Sequence, residues 1–413
     1  MQLKLVSLLG LVAFIGIAWL ISGNRKQFPW RAVSWGLGLQ FAFGFLILNT
    51  EPGAKVFDFF QRGVSKLIGF ADEGSKMVFG PLANQNLLSE KLGPGNGFVF
   101  VITVTATIIL VAALSSVLYH YGILQHVVRG TAWVMQRLMR TSGSESLAAA
   151  ANIFMGQTEA PLVIKPYLAT MTRSEILALM TGGMATIAGG VLAAYVSFGI
   201  SAGHLLTASV MSAPAALLIA KVMLPESEKS ETAAGAPART ARETTNGLDA
   251  LCRGASDGMM LALNVMAMLI AFVAVVALVN YLLGLGLRPL GVHSSAPLQT
   301  FFGWINAPFA WLMGVPAKDC AAIGSILGER IVINEFIGYL SLSKQTQLEP
   351  RSLTLATYAL CGFANFSSIA IQIGGIGSLM PSRRTDLARL GLRAMIGGLL
   401  ASYLTAAIAG ILL

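Results

Sequence analysis

Residues 32–50 contain no charged side chain, and comparable stretches recur all the way to the C-terminus. A helix of roughly 20 apolar residues crosses the hydrocarbon core of a bilayer. Inside lipid such a segment satisfies its own backbone polar groups. Eight runs of this kind are visible, near residues 5–23, 32–50, 97–119, 176–200, 203–223, 258–287, 352–380 and 394–413. Only 11% of the 413 residues are charged and 55% are apolar, where a soluble domain carries about 25% charged residues. A water-soluble globule and a disordered chain are both excluded. The chain reads as an all-α polytopic membrane protein with about eight spans.

The net charge of +9 does not point to nucleic acid, because the basic residues are scattered through short loops between the apolar runs. That placement follows the positive-inside rule. If the turn from Asn24 to Arg31 faces the cytoplasm, alternation puts Arg129, Arg137, Arg140, the 224–253 segment and the Arg383, Arg384, Arg389, Arg393 cluster on the same side. Both termini then lie outside, and the expected location is a bacterial inner (plasma) membrane. The first run lacks a small-x-small cleavage site and reads as a retained helix. Cys252, Cys320 and Cys361 are far apart and form no CxxC pair, so neither a disulfide framework nor a cysteine metal site is indicated.

Residues 53–70 and 120–140 alternate apolar and basic side chains at helical spacing, as interfacial amphipathic helices do. Pro225 to Gly247 has almost no large apolar residue and reads as a flexible cytoplasmic linker. These features divide the chain into 1–140, 141–223, the linker 224–250, 251–300 and 301–413.

Two polar islands interrupt otherwise apolar sequence. One runs from Asn152 through Gly156, Gln157, Thr158 and Glu159 to Pro161; the other runs from Gly328 through Glu329, Arg330, Asn334 and Glu335 to Tyr339. Charged and amide groups at such depth are costly and mark function. Apolar segments broken at the centre form re-entrant hairpins whose tips can bind a solute. Each island is followed by a further interruption, Gly182 to Val191 in the first case and Gly362 to Ile369 in the second. The loop assignment sends the two hairpins in from opposite sides. Paired broken helices in an inverted repeat are the pattern of a secondary transporter.

Gln157-Thr158-Glu159-Ala160-Pro161-Leu162, the Gly328 to Phe336 block and Phe363-Ala364-Asn365-Phe366-Ser367-Ser368 together resemble the concentrative nucleoside transporter family, bacterial type. The resemblance covers nearly the whole chain. Arg330 stands where the family usually has Lys, and Gly338 where Ala is frequent. The resemblance implies cation-coupled nucleoside uptake by a homotrimer in which a scaffold (1–140, with its interfacial helices, and 251–300) holds a mobile transport domain made of two halves (141–223 and 301–413).

It also implies base contacts from Gln157, Thr158, Glu159 and Val191, and ribose contacts from Glu335, Asn365 and Ser368, with Asn334 and Phe363 near the site. The chemistry suits a neutral nucleoside. A carboxylate accepts hydrogen bonds from vicinal ribose hydroxyls, amides and hydroxyls read a base edge, and an aromatic ring supplies an apolar wall. The same resemblance implies a coupling Na+ on the Asn152 side chain, the Met155 and Ile187 carbonyls and the Thr186 hydroxyl. Proton coupling through Glu159 or Glu335 is the alternative. No other cofactor is expected. A passive channel, or a membrane-embedded hydrolase using Glu159 and Glu335, are the more remote readings; the sequence has no HExxH motif to support the latter.

Overall fold

The computed structural model describes residues 2–93, 99–236, 244–287 and 297–413. The protein is built of helices. The first third holds α1 (Gln2–Leu20), α2 (Trp30–Asn49), α3 (Glu51–Phe79), α4 (Gln85–Leu92), α5 (Phe100–His120) and α6 (Ile123–Met139). A second group follows: α7 (Gly143–Asn152), the single turn α8 (Ala160–Val163), α9 (Arg173–Ala185), α10 (Gly189–Ser197) and α11 (Ala202–Met223). Then come α12 (Gly247–Leu287), α13 (Pro297–Leu312), α14 (Cys320–Val332), α15 (Glu335–Ser343), α16 (Pro350–Leu360), α17 (Phe366–Leu379) and α18 (Arg384–Leu412).

The order of parts recurs. A helix pair meeting at a non-helical tip (α7 and α8, then α14 and α15) precedes a helix broken in two (α9 and α10, then α16 and α17), and a long helix closes each set (α11, then α18). The core forms where these sets meet: α18 packs on α9, α11, α16 and α17, and α11 packs on α7 and α9. Small residues make the approach close, because Ala213, Ala215, Ala216 and Ala220 on α11 and Ala401, Ala406, Ala407 and Ala409 on α18 are fully buried.

Seven segments among the described residues are long and apolar enough to cross a membrane, so the chain is a multi-pass membrane protein. The eighth expected run, 352–380, fails that test because it is divided. Residues 361–365 are non-helical, leaving α16 and α17 too short to cross singly. The 176–200 run is likewise interrupted, at 186–188 between α9 and α10. The two amphipathic stretches are helical, but the first extends to 29 residues as α3.

The expectation of a loose linker after α11 does not hold for residues 225–236. Thr232 accepts from Gly143 N at 2.8 Å through its carbonyl. Its hydroxyl accepts from Ser144 N at 3.2 Å, and Ser230 Oγ donates to Glu175 Oε1 at 2.5 Å. The segment therefore sits across the N-termini of α7 and α9. Each of those helices opens with a capping box, Ser142 with Glu145 and Thr172 with Glu175. Beneath it, Lys221 Nζ lies 2.7 Å from Glu145 Oε2 and 3.2 Å from Glu226 Oε2. Composition alone misleads here because short polar side chains can dock on helix ends without burying an apolar core. The remainder of the linker, 237–243, lies outside the described residues.

Lys221 and Glu145 are both buried, and removing one partner of a buried pair strands the other charge. Lys221→Met is expected to destabilise the fold by about 3–5 kcal/mol, seen as a lower thermal unfolding midpoint in detergent. Glu145→Gln combined with Lys221→Met should recover part of the loss.

Candidate functional site

Helix ends inside an apolar interior leave backbone groups without partners, and the residues at those ends supply them. Asn334 caps α15 by accepting from Ile337 N at 3.1 Å. Asn365 caps α17 by accepting from Ser368 N at 2.9 Å. The Ser367 hydroxyl adds a 2.7 Å bond to the same Asn365 oxygen. Gly189 N, at the start of α10, donates to Phe154 O of the first tip at 3.2 Å. Caps of this type favour Asn because its short amide oxygen reaches back to the first free N–H groups.

Glu335 opens α15, where the partial positive charge of the helix N-terminus favours a carboxylate. Tyr195 Oη, from α10, donates to Glu335 Oε1 at 2.9 Å, and Asn365 Nδ2 donates to Glu335 Oε2 at 3.1 Å. Arg330, fully buried one turn before the tip, donates to Ala359 O and to Ser402 Oγ at 3.1 Å.

A second polar group lies on the first tip. Gln157 Nε2 donates to Ser368 Oγ at 3.1 Å, and Gln372 Nε2 donates to Gln157 Oε1 at 3.1 Å. Glu159 Oε2 accepts from Gly156 N at 3.1 Å, which holds the tip in its turn. The connections run crosswise. A tip residue of the first set bonds to the second broken helix, and a tip residue of the second set bonds to the first.

Asn152 ends α7 with both amide atoms buried and no hydrogen-bond partner among the described residues. Gly182 of α9 passes beside it, since a Cβ there would stand 3.1 Å from Asn152 Nδ2. Thr186, at the break, donates its hydroxyl to Gly182 O at 2.9 Å. An unpartnered buried amide oxygen at the end of a helix is a hard-oxygen donor of the kind an alkali cation takes at a broken helix.

Of the residues expected from sequence, Gln157, Ser368, Asn365 and Glu335 are linked by these bonds. Asn152 and Thr186 share the neighbourhood of Gly182, and Ile187 is buried at the same break. Thr158 approaches α17, where a Cβ on Gly375 would come 3.0 Å from its Cγ2. Asn334 spends its oxygen on the cap. Val191 is buried on α10 and Phe363 and Met155 are half-buried, without polar bonds to the cluster. Sequence reading missed Tyr195 and Gln372. A signal existed for both: each is a polar group within an apolar run, and Gln372 follows Ser368 by one helical turn, on the same face.

Three family models match the chain: Na+ dependent nucleoside transporter N-terminus over residues 9–82, nucleoside recognition (gate) over 101–202, and Na+ dependent nucleoside transporter C-terminus over 204–410. The chain is 41% identical over 426 residues to Sodium/nucleoside cotransporter 1 of Rattus norvegicus, spanning 99% of this chain and 64% of that longer protein. It belongs to the concentrative nucleoside transporter family. The family is one of transporters, not enzymes. Among bacterial relatives, the uncharacterized transporter YutK of Bacillus subtilis is 44% identical over 405 residues, 98% of each chain. The structure of CNTnw in an inward-facing substrate-bound state superposes with a TM-score of 0.92 at 39% identity, covering 99% of this chain and 98% of that one. An outward-facing CNTnw variant gives a TM-score of 0.93 at 38% identity, covering 100% and 98%.

In this member of the family, the two broken helices touch at Gly362, whose φ is +147° and whose added Cβ would lie 2.6 Å from Met184 O. Both the conformation and the space exclude a side chain. Gly362→Ala is expected to cost at least about 1–3 kcal/mol, read as a lower unfolding midpoint, and to depress nucleoside uptake in proteoliposomes through the displaced α9 end.

Proposed function

We propose that this protein is a secondary-active symporter that imports nucleosides of the uridine type across a bacterial inner membrane, coupled to Na+. The observation that carries the proposal is the crosswise polar cluster at the meeting of the broken helices. There a doubly hydrogen-bonded carboxylate, Glu335, lies within one bonded residue of Ser368, and Ser368 is bonded to Gln157. Glu335, Asn365 and Ser368 would take the ribose hydroxyls. Gln157, Thr158, Glu159 and Val191 would face the base, and Phe363 and Asn334 would close the site.

Sodium would be held by the Asn152 amide oxygen, the Thr186 hydroxyl and the Met155 and Ile187 carbonyls. The stranded amide of Asn152 supports this assignment, as does the Na+ dependence in the names of the matching family models. Alternating access would carry the transport domain past the scaffold as a body, in keeping with the inward-facing and outward-facing states of CNTnw. The assembly would be a homotrimer. The re-entrant hairpins would enter from opposite sides, and both termini would lie outside.

Uridine uptake into proteoliposomes, with Na+ and H+ gradients imposed independently, tests the coupling. Accumulation driven by the Na+ gradient alone is expected. Accumulation driven only by a pH gradient would transfer the coupling role to a proton on Glu159 or Glu335.

Glu335→Gln should weaken uridine binding by about 1.5–3 kcal/mol, roughly 10- to 150-fold, because hydrogen bonds to a charged acceptor are lost. A 2′,3′-dideoxynucleoside should be affected much less. Near-normal uridine binding by the folded variant would remove Glu335 from the site.

Thr186→Val keeps the β-branched shape and deletes one proposed sodium ligand. Linkage is reciprocal, so weaker sodium binding also weakens sodium's support of uridine binding. Titrations should show poor uridine affinity at low sodium and substantial recovery at saturation.

A further inference from the structure

Gln372 lies on α17, fully buried, and is the residue on which the orientation of Gln157 depends. Its Nε2 donates to Met180 O of α9 at 3.1 Å and to Gln157 Oε1 at 3.1 Å. An amide nitrogen has two hydrogens and a backbone carbonyl can only accept. The atom of Gln372 facing Met180 must therefore be nitrogen, and its second hydrogen points at Gln157. The Gln157 atom on that side must in turn be oxygen. Its nitrogen then faces Ser368 Oγ, the 3.1 Å bond already described. A fixed backbone carbonyl thus sets the polarity of a chain running from α9 through α17 to the first tip and back to α17.

Space for this chain is made by Gly183. A Cβ there would stand 2.7 Å from Gln372 Nε2 and 2.9 Å from Gln157 Cβ. Gln372 Oε1 has no partner among the described residues. A fully buried amide with one end unmatched is costly, and packing alone would be served as well by a methionine or leucine.

We propose that Gln372 is the positioning residue that sets base preference: it locks the Gln157 amide so that a donor, not an acceptor, faces the nucleoside. The proposal rests on the assignment of Gln157 to the base side of the site. With its oxygen spent on Gln372 and one N–H on Ser368, Gln157 has one N–H left for a ligand. With the base's C4 edge turned to Gln157, as the proposal requires, that N–H favours a carbonyl there, as in uracil, over an amino group, as in cytosine. Ser368, accepting from Gln157, keeps its own O–H free to donate towards the sugar. Without Gln372, the Gln157 amide can turn over and offer its oxygen instead.

The test is a pair of affinities, uridine and cytidine, measured by calorimetry on the purified full-length transporter in saturating sodium. Gln372→Met, close in volume, is expected to lower the uridine preference over cytidine by about 3- to 10-fold, the range of one neutral hydrogen bond. Gln372→Leu should do the same and serves if the first variant is poorly folded. The double-mutant cycle with Gln157→Leu isolates the route. Once Gln157 is gone, adding Gln372→Met should leave the preference unaltered. The proposal is overturned if the preference is unchanged or rises in the folded Gln372 variants, or if it shifts equally in the Gln157→Leu background. Parent-like binding of both nucleosides by Gln157→Leu would instead refute the site assignment on which the proposal rests.

Discussion

Helix ends meet inside an apolar interior, and the need to satisfy their backbone groups governs the rest of the molecule. A continuous helix hides its polar backbone and could pass through this region at no cost in hydrogen bonds. Breaking α9 from α10 at 186–188 and α16 from α17 at 361–365 exposes donors and acceptors where water is scarce. Asn365 answers the first donors of α17 and Phe154 O takes Gly189 N at the start of α10, while Asn334 caps α15 at the second tip. Their presence fills the same small volume with amides, hydroxyls and a carboxylate. The polar cluster is thus part of the solution to a folding problem, and the groups left over are available to a solute.

Crosswise bonding follows from how the two sets interlock. Tyr195 of the first set holds Glu335 of the second, while Ser368 and Gln372 of the second hold Gln157 of the first. Neither set completes its polar cluster alone. A nucleoside bound between them would touch both, so the proposed transport domain would hold its cargo as one body. Close approach at Gly362 and Gly183 is a condition of this contact, because a side chain at either position would separate the sets.

Buried charge is concentrated at two levels of the structure. Arg330 lies beneath the second tip with its two terminal nitrogens on Ala359 O and Ser402 Oγ. Lys221 lies with Glu145 and Glu226 under the 225–236 segment, where the capping boxes of α7 and α9 converge. Desolvation makes each arrangement costly in isolation. Both are placed where helices from different parts of the chain must be held in one register, and a fixed register is what partnered buried charges can enforce.

Much of the architecture was legible in the residues. Uncharged runs required membrane helices, since no soluble core could absorb them. Polar islands at Gln157–Glu159 and Asn334–Glu335 stood out as candidate functional residues, since polar groups within apolar sequence are costly. The ordered motifs indicated a family, and with it the residues proposed for the site. What the sequence could not supply was partnership across more than a hundred residues. Tyr195 meets Glu335 across 140 positions and Gln372 meets Gln157 across 215, and no local period or spacing encodes such a pairing. Composition likewise made 225–247 look loose, whereas docking on two helix N-termini orders 225–236, because that depends on where α7 and α9 come to lie. Periodicity and polarity act within a few turns of chain and so determine elements. Which polar atoms face one another is decided only when the elements pack, and there the chemistry of the site is set.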